Sequence, residues 1–430
     1  MKSRVQILST IFALSILFAL PAITHADAIT AWNEITVNTT MVPPGRPGPS
    51  NLLDIAVVQL AMYDAVQAIE GDYQPYCGPI LGASGSPAAA AAKAAHDVLV
   101  NRFPSQAAAL GVTYQNYLIA NGLSPMDAGI PVGAVAAACM IGKRSGDGSF
   151  PAGFPPFLGG EEIGVWRPTS PNTSMAAPWL GFVAPFTMKR QSQFRPSPPP
   201  GLRSPEYTRD YSEVKSVGSL NSTARTPDQT DMAHFWNLNY QLVLNRLIRD
   251  LSITHVNDIS SNSRLFALTS SAMADSIITA WDSKSAYVFW RPITAIRNGE
   301  LDGNPKTAGD ATWNSLIAAP PYPDYTSGAN ALVAGTARAL QLFFETNEMA
   351  MSITTTNSGP TAMDTRTYDK FTDLRDEVVE ARIYSGIHFR FADELGRRQG
   401  EHVAQWSHAH YFRPVDQLFD SSYGLSSGCH

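Results

Sequence analysis

A chain of 430 residues with 44% hydrophobic content can bury one large core or two moderate ones, and its composition excludes a disordered or low-complexity protein. The formal charge of −6 argues against a nucleic-acid binder. Three cysteines, Cys77, Cys139 and Cys429, are too few for a disulfide scaffold and match no zinc spacing. They allow one pair with one thiol left over, and their spacing does not say which.

The chain opens with Lys2 and Arg4, an apolar stretch over residues 11–20, and then Thr24-His25-Ala26. A charged start, a greasy middle and a small residue at the end predict a signal peptide over residues 1–26, cut after Ala26. The apolar stretch falls well short of the ~20 residues of a spanning helix. Its removal takes away two cations and no acid, so the charge moves from −6 to −8. No later apolar run is expected to span a membrane. The reading is an exported protein, periplasmic or secreted, soluble after cleavage and without a nucleic-acid partner.

Over residues 50–69, Leu52, Leu53, Ile55, Ala56, Leu60 and Tyr63 recur at helical spacing, which predicts a core helix. Ala-rich segments over 88–103, 104–121 and 127–142 follow, punctuated by Pro104, Gly122 and Pro125. Residues 27–144 therefore read as N-terminal helices. From 145 to 205 the composition turns to Gly and Pro, interleaved with Phe154, Phe157, Trp166 and Trp179, and helix is excluded over most of it. A loop this long with that many aromatics packs on protein, as a cover over the mouth of a pocket or as a structural wrap. Helical periodicity returns at Thr226-Pro227-Asp228-Gln229 and runs to Leu251, then over 257–290, 328–345, 364–385 and 394–410. With no internal repeat and no hairpin signal, the fold class is all-α, built of helical bundles, with residues 206–430 as the core that carries the site.

Three short motifs lie in that core. In the first, Lys284 and Arg291-Pro292 are seven residues apart, a spacing that puts both cations on one face of a helix before Pro292 breaks it. The second is Pro320-Pro321-Tyr322-Pro323-Asp324-Tyr325-Thr326-Ser327-Gly328, followed by Ala329-Asn330 and an apolar-periodic helix. A helix start of this kind offers free backbone N–H groups and a hydroxyl to an anion, and Gly328 allows close approach. By itself it also fits an ordinary cap by Thr326 or Ser327. The third is Arg382 with His388 six residues on; the two reach one point only if the chain bends, and Gly386 suits the bend. Together the motifs supply three cations, a hydroxyl, backbone donors and one imidazole, a set matched to a tetrahedral oxyanion such as phosphate or vanadate. His388 would approach the central atom along the axis, as a ligand to vanadium or a nucleophile toward phosphorus.

The ordered set Lys-x6-Arg-Pro, then Ser-Gly, then Arg-x5-His resembles the signature of the vanadium haloperoxidase and type 2 phosphatidic acid phosphatase superfamily. Likeness extends to Ala61-Met62-Tyr63-Asp64-Ala65 and to Gly386-Ile387-His388-Phe389-Arg390-Phe391. The resemblance implies an all-helical enzyme, exported and haem-free, with vanadate as cofactor held by Lys284, Arg291, Ser327, Gly328, Arg382 and His388. It makes His388 the residue bonded to the metal, and Trp281 and Tyr322 the halide-side aromatics. Halide and peroxide would be the small-molecule substrates. The alternative is a phosphatase with no cofactor, acting on a soluble phosphomonoester through a phosphohistidine at His388.

Three positions depart from the pattern, and two of them, Thr326 in place of proline and Ala381 in place of serine, should change little. The family places an acid-base histidine directly after Ser-Gly, and this chain has Ala329. General acid-base help is commonly worth ~10²–10⁴-fold in rate. Asn330 can orient an oxygen there but cannot shuttle a proton. His402 and Asp393, on the segment after His388, are the candidate substitutes. Ala329 also leaves open a third function, an oxyanion-binding protein without turnover.

Overall fold

Asp27 opens the first helix, α1 (Ala28–Met41), by accepting the N–H groups of Ile29 and Thr30. The computed structural model describes residues 27–42, 45–46, 48–355 and 364–415; the proposed signal peptide and Cys429 lie outside them. Helix α1 lies within residues 27–144, read as N-terminal helices, but its own span was not delimited, because its Ile, Thr and Val residues have modest helix propensity. Burial of Trp32 overrides that preference, and Thr36, Thr39 and Thr40 return their hydroxyls to carbonyls of the preceding turn.

Helices α2 (Asn51–Glu70), α3 (Pro87–Arg102), α4 (Ala107–Ala120) and α5 (Gly129–Lys143) complete the N-terminal bundle, close to the expected spans. Helix α2 is its axis, packed on α3, α5 and, across the molecule, the long helix α9 (Ile259–Tyr287). It is also the one described helix long and apolar enough to cross a membrane, contrary to the expectation that no such run follows residue 20. It is instead buried in protein, with Asp54 and Asp64 engaged inside the bundle. Asp64 accepts the N–H groups of Tyr76 and Cys77, and Cys77 forms a disulfide with Cys139 of α5. The pairing left open by the sequence is thereby settled.

The Pro/Gly-rich segment wraps the outside of the second half. Buried Asp275 of α9 accepts the N–H groups of Phe186, Thr187 and Met188 together with the Thr187 hydroxyl. Arg195 forks onto Asp282, and the carbonyls of Pro196 and Ser197 accept from Tyr287 and Tyr325.

Helices α6 (Pro205–Val217), α7 (Pro227–Phe235), α8 (Tyr240–His255) and α10 (Pro292–Arg297) surround a second bundle of α9, α11 (Gly328–Phe344), α12 (Phe371–Tyr384) and α13 (Arg390–His410). The single helix expected over 226–251 is two, separated at Trp236 to Asn239 after a Thr226–Gln229 capping box starts the first. Helices α11 and α13 meet at backbone distance: a Cβ on Gly396 would lie 2.4 Å from the Ser327 carbonyl oxygen, and one on Gly400 would lie 2.0 Å from that of Ala331. Two strands, β1 (Glu348–Thr354) and β2 (Thr365–Lys370), pair antiparallel, where no hairpin was expected and helix was read from residue 364. Met351, Ile353 and Tyr368 bury one face of this pair, so the cross-strand partner decides a segment whose own pattern is weak. The architecture remains all-α, with thirteen α-helices among the described residues.

Candidate active site

The three motifs converge, though not all by the expected route. Helix α9 ends at Tyr287, Val288 turns into the left-handed region at φ 46°, and Arg291 stands in extended backbone as the residue before α10. Lys284 and Arg291 therefore do not share a helix face; a reversal of the chain brings them together. Lys284 Nζ donates to the carbonyls of Pro323 and Asp324 at 2.6 and 3.1 Å. Arg291 donates to those of Tyr322 and Ile387 at 2.9 and 2.7 Å. The two cations thus clamp the Pro-rich segment in front of α11, and both lie within 5.0 Å of the Tyr322 ring centre.

At α11 the ordinary cap is ruled out. Ser327 is the N-cap residue but makes no side-chain cap bond, and Thr326 donates instead to Gln399 of α13. The first-turn N–H groups, which no helix can satisfy internally, begin at Gly328. Arg382 comes from the last turn of α12, and Gly386, at φ 76°, supplies the predicted bend to His388. A Cβ there would meet the Gly218 carbonyl oxygen at 2.2 Å, so glycine is required on both counts.

Arg291 Nη1 lies 3.1 Å from His388 Nε2. A guanidinium only donates, so Nε2 is the unprotonated nitrogen and Nδ1 carries the proton. On the Nδ1 side, Asp324 Oδ1 stands 2.8 Å away, close enough to exchange a proton although not aligned as a hydrogen bond, and Asp393 Oδ1 stands 4.0 Å away. Asp393 Oδ1 accepts from Asn330, whose amide also donates to Ser327 Oγ at 3.1 Å. Asp324 was missed as a site residue. Only its place four residues before Gly328 hinted at it, and its contact with His388 spans 64 residues of chain.

All of these ionisable groups are buried, and burial dominates their titration. It lowers the pKa of Lys284, with Arg291 adding to the effect, and that of His388, with Arg291 and Lys284 adding. It pushes Asp324 up to about 7 against the pull of Arg291 and Lys284, and raises Asp393 well above the usual carboxylate range. His388 is thus a neutral imidazole. Arg291 Nη2 and Arg382 Nε, both buried, have no hydrogen-bond partner, and an unpaired buried donor is costly unless something accepts from it.

Arg382 faces a cavity of about 390 Å³ that Trp281, Tyr322, Gly328 and Ala329 also line. None of the residues lining it comes from the Pro/Gly-rich segment, so that segment is a wrap and not a cover of this mouth. It supports the wall from behind: Ala176 accepts from the Trp281 indole and donates its N–H to the Pro321 carbonyl. Asn330 belongs to the buried network and not to the cavity wall. His402 does not join the site; it is exposed on α13, with its ring 5.8 Å from Phe194.

The family of the VCPO second helical-bundle domain matches residues 264–417. Over 201 residues the chain is 31% identical to the vanadium chloroperoxidase of Curvularia inaequalis; the match covers 37% of this chain and 32% of that protein, about a third of the relative's length. Among solved structures, a bacterial vanadium-dependent iodoperoxidase has a TM-score of 0.74 at 21% identity, over 90% of this chain and 96% of its own. A holo-type bacterial vanadium-dependent chloroperoxidase has 0.68 at 17%, over 88% and 95%. At such identities these two establish the fold. The convergent cations, His388 and the start of α11 all lie inside residues 264–417, the part of the chain that belongs to the family of the VCPO second helical-bundle domain, and the chain as a whole has the fold of the bacterial vanadium-dependent haloperoxidase structures.

Proposed function

We propose that this protein binds vanadate, or phosphate in its place, in the Lys284, Arg291, Arg382, Gly328 and His388 cradle, and that it is an exported haloperoxidase-type oxidoreductase acting on halide and peroxide. The observation that carries the reading is the pair of unpartnered guanidinium nitrogens, Arg291 Nη2 and Arg382 Nε, buried beside a neutral His388 and an uncapped helix start. This donor set fits a tetrahedral oxyanion: fixed N–H forks for its oxygens, and at Nε2 a lone pair that accepts from Arg291 Nη1 in the free protein and would turn to the central atom when the anion binds. When bound, vanadate would supply the Lewis acidity that activates peroxide toward halide.

The chain's own residues do the rest. Arg291, donating to Nε2, fixes the His388 tautomer with its proton at Nδ1, the side on which Asp324 stands 2.8 Å away. Lys284 holds the Pro323 and Asp324 carbonyls and Arg291 that of Tyr322, and so they fix where α11 begins. Ser327 and Asn330 link that start to Asp393, whose carboxyl burial raises well above the usual carboxylate range. Ala329 leaves the cavity side of the cradle without an acid-base group, so turnover is expected below that of a site with imidazole there. The C77–C139 disulfide supports an oxidising compartment, in keeping with export.

The test is a panel on the mature protein: calorimetric binding of vanadate and phosphate, peroxide-dependent halide oxidation after vanadate loading, and hydrolysis of a generic phosphomonoester. Competitive binding of the two anions with halide oxidation is expected. His388→Ala should abolish turnover with an unchanged circular dichroism spectrum. Hydrolysis without halide oxidation would make the protein a phosphatase, and binding without either activity would make it an oxyanion-binding protein.

A further inference from the structure

The cavity in front of the cradle is far larger than the anion chemistry requires. A halide or peroxide needs on the order of the ~30 Å³ that one water takes. The cavity measures about 390 Å³, which falls in the range of small-molecule sites. Of the described residues that line it, Arg382 alone carries a charge, and it sits at the cradle end with Gly328 and Ala329.

The walls are aromatic and apolar. Trp281 and Tyr322 pack as a ring pair with centres 4.8 Å apart, and the Trp281 ring covers Gly328 so closely that a Cβ there would lie 3.0 Å from it. The inner face of Tyr322 is occupied by Lys284 and Arg291, which fixes this wall. Ile277 and Leu332 add aliphatic surface, and Ala329 contributes a methyl group where the superfamily pattern has a polar ring. A second stacked pair, Trp236 and Tyr240, comes from the connection between α7 and α8. The Trp236 carbonyl accepts from both Arg382 Nη1 and the Tyr240 hydroxyl, so this connection is tied to the cradle as well as lining the cavity. The same connection contributes Leu238 and the amides of Asn237, Asn239 and Gln241.

We propose that this cavity binds the body of an aromatic organic substrate directly against the oxyanion, so that the protein acts on a bound, selected molecule. The inference rests on the oxyanion reading above and adds the substrate class: a flat, uncharged ring system, apolar beside Trp281 and Ala329 and bearing hydrogen-bonding groups toward the amides of residues 237–241. A second charge on the ligand is disfavoured, because among the described residues no ionised partner besides Arg382 lines the site.

Phosphonates test this, since their carbon–phosphorus bond survives a hydrolase. Calorimetry on the mature chain compares inorganic phosphate, methylphosphonate and phenylphosphonate. Phenylphosphonate is expected to bind at least ~10-fold more tightly than methylphosphonate, the order of gain from burying one ring, and to quench tryptophan emission. Two changes away from the cradle locate the effect: Leu238→Trp and Gln241→Trp each fill the cavity from a half-buried position. Each should erase the phenyl preference while leaving the affinity for phosphate within about twofold. Equal affinities for the two phosphonates, or a preference that survives both substitutions, would overturn the inference while leaving the oxyanion site standing. Absence of any phosphate binding would instead remove the oxyanion reading on which it rests.

Discussion

Each half of the molecule buries a cluster of charge, and the two are built to opposite rules. In the N-terminal bundle, Asp54 is fully enclosed and both of its oxygens are taken, by Arg46 at 2.7 Å and Arg102 at 2.6 Å. The Arg46 guanidinium also lies 3.9 Å from the Phe150 ring centre, so charge and stacking are satisfied within the protein. In the C-terminal bundle, Lys284, Arg291, Arg382, His388, Asp324 and Asp393 are as deeply buried, yet Arg291 Nη2, Arg382 Nε and Asp393 Oδ2 have no partner. A closed cluster fixes a bundle. An open one keeps hydrogen-bonding capacity that a ligand can use, at a cost to the stability of the free protein.

The sharpest way to break this comparison is a pair of substitutions. Asp54→Ala leaves two guanidinium groups unpaired and is expected to lower unfolding stability by about 2–4 kcal/mol, without altering phosphate affinity. Arg382→Met removes a buried charge that the free protein does not fully satisfy. It should change stability by no more than ~1 kcal/mol while weakening phosphate binding about 100-fold. Denaturant unfolding and calorimetry on both variants decide the matter; equal destabilisation would mean that the two clusters are alike.

The disulfide sharpens the same contrast from the N-terminal side. Cys77 and Cys139 are 62 residues apart, and their link constrains the unfolded chain more than the folded one. Cys139→Ala should reduce stability by about 2–4 kcal/mol and leave anion affinity unchanged, read by the same two measurements. A loss of phosphate binding in this variant would show that the halves are energetically coupled.

A smaller effect is expected at the cradle's missing group. Ala329 is half-buried and lines the cavity, so the wall side of this position is open. Ala329→His should raise peroxidase or phosphatase turnover by at least ~10-fold while vanadate affinity changes far less. Flat turnover with intact binding would mean that the network of Asn330 and Asp393 has replaced the imidazole's function.

The smallest expected effect is a pH dependence. Asp324 is held up to about 7 by burial, so below that pH it is neutral, and above it a carboxylate competes with the anion for Arg291 and Lys284. Lys284, pushed down by the same burial, loses charge in the same direction as pH rises. Sulfate keeps a constant charge over this range and is the suitable probe. Its affinity should fall by three- to tenfold, to order of magnitude, between about pH 6 and pH 8. Asp324→Asn should flatten the profile, and an unchanged slope in that variant would assign the titration to Lys284 alone.

Much of the molecule was legible in the sequence where the relevant physics is local. Helices α2, α3 and α11 announce themselves by apolar periodicity, and Thr226 to Gln229 by its capping chemistry. Gly386 was readable as a bend because only glycine takes its backbone angle without strain. Segments with weak local preference were harder to read: the span of the Thr-rich α1, which forms because Trp32 is buried, was not delimited, and β2, which forms because β1 lies beside it, was read as helix.

At the site, sequence order alone identified Lys284, Arg291, Ser327, Gly328, Arg382 and His388 as one constellation, because residue chemistry and spacing are written along the chain. How they meet was decided by tertiary structure. Lys284 and Arg291 come together through the turn at Val288 and not along a helix, and His402, near in sequence, faces away against Phe194. The proton on His388 Nδ1 follows from Arg291 donating to Nε2, with Asp324 on the other side of the ring, and the 390 Å³ cavity from the meeting of α7–α8 with α9 and α11. Tautomers, burial-driven pKa shifts and cavities depend on groups far apart in the chain becoming neighbours in a medium that excludes water. No local pattern of residues encodes that environment, and only the folded packing supplies it.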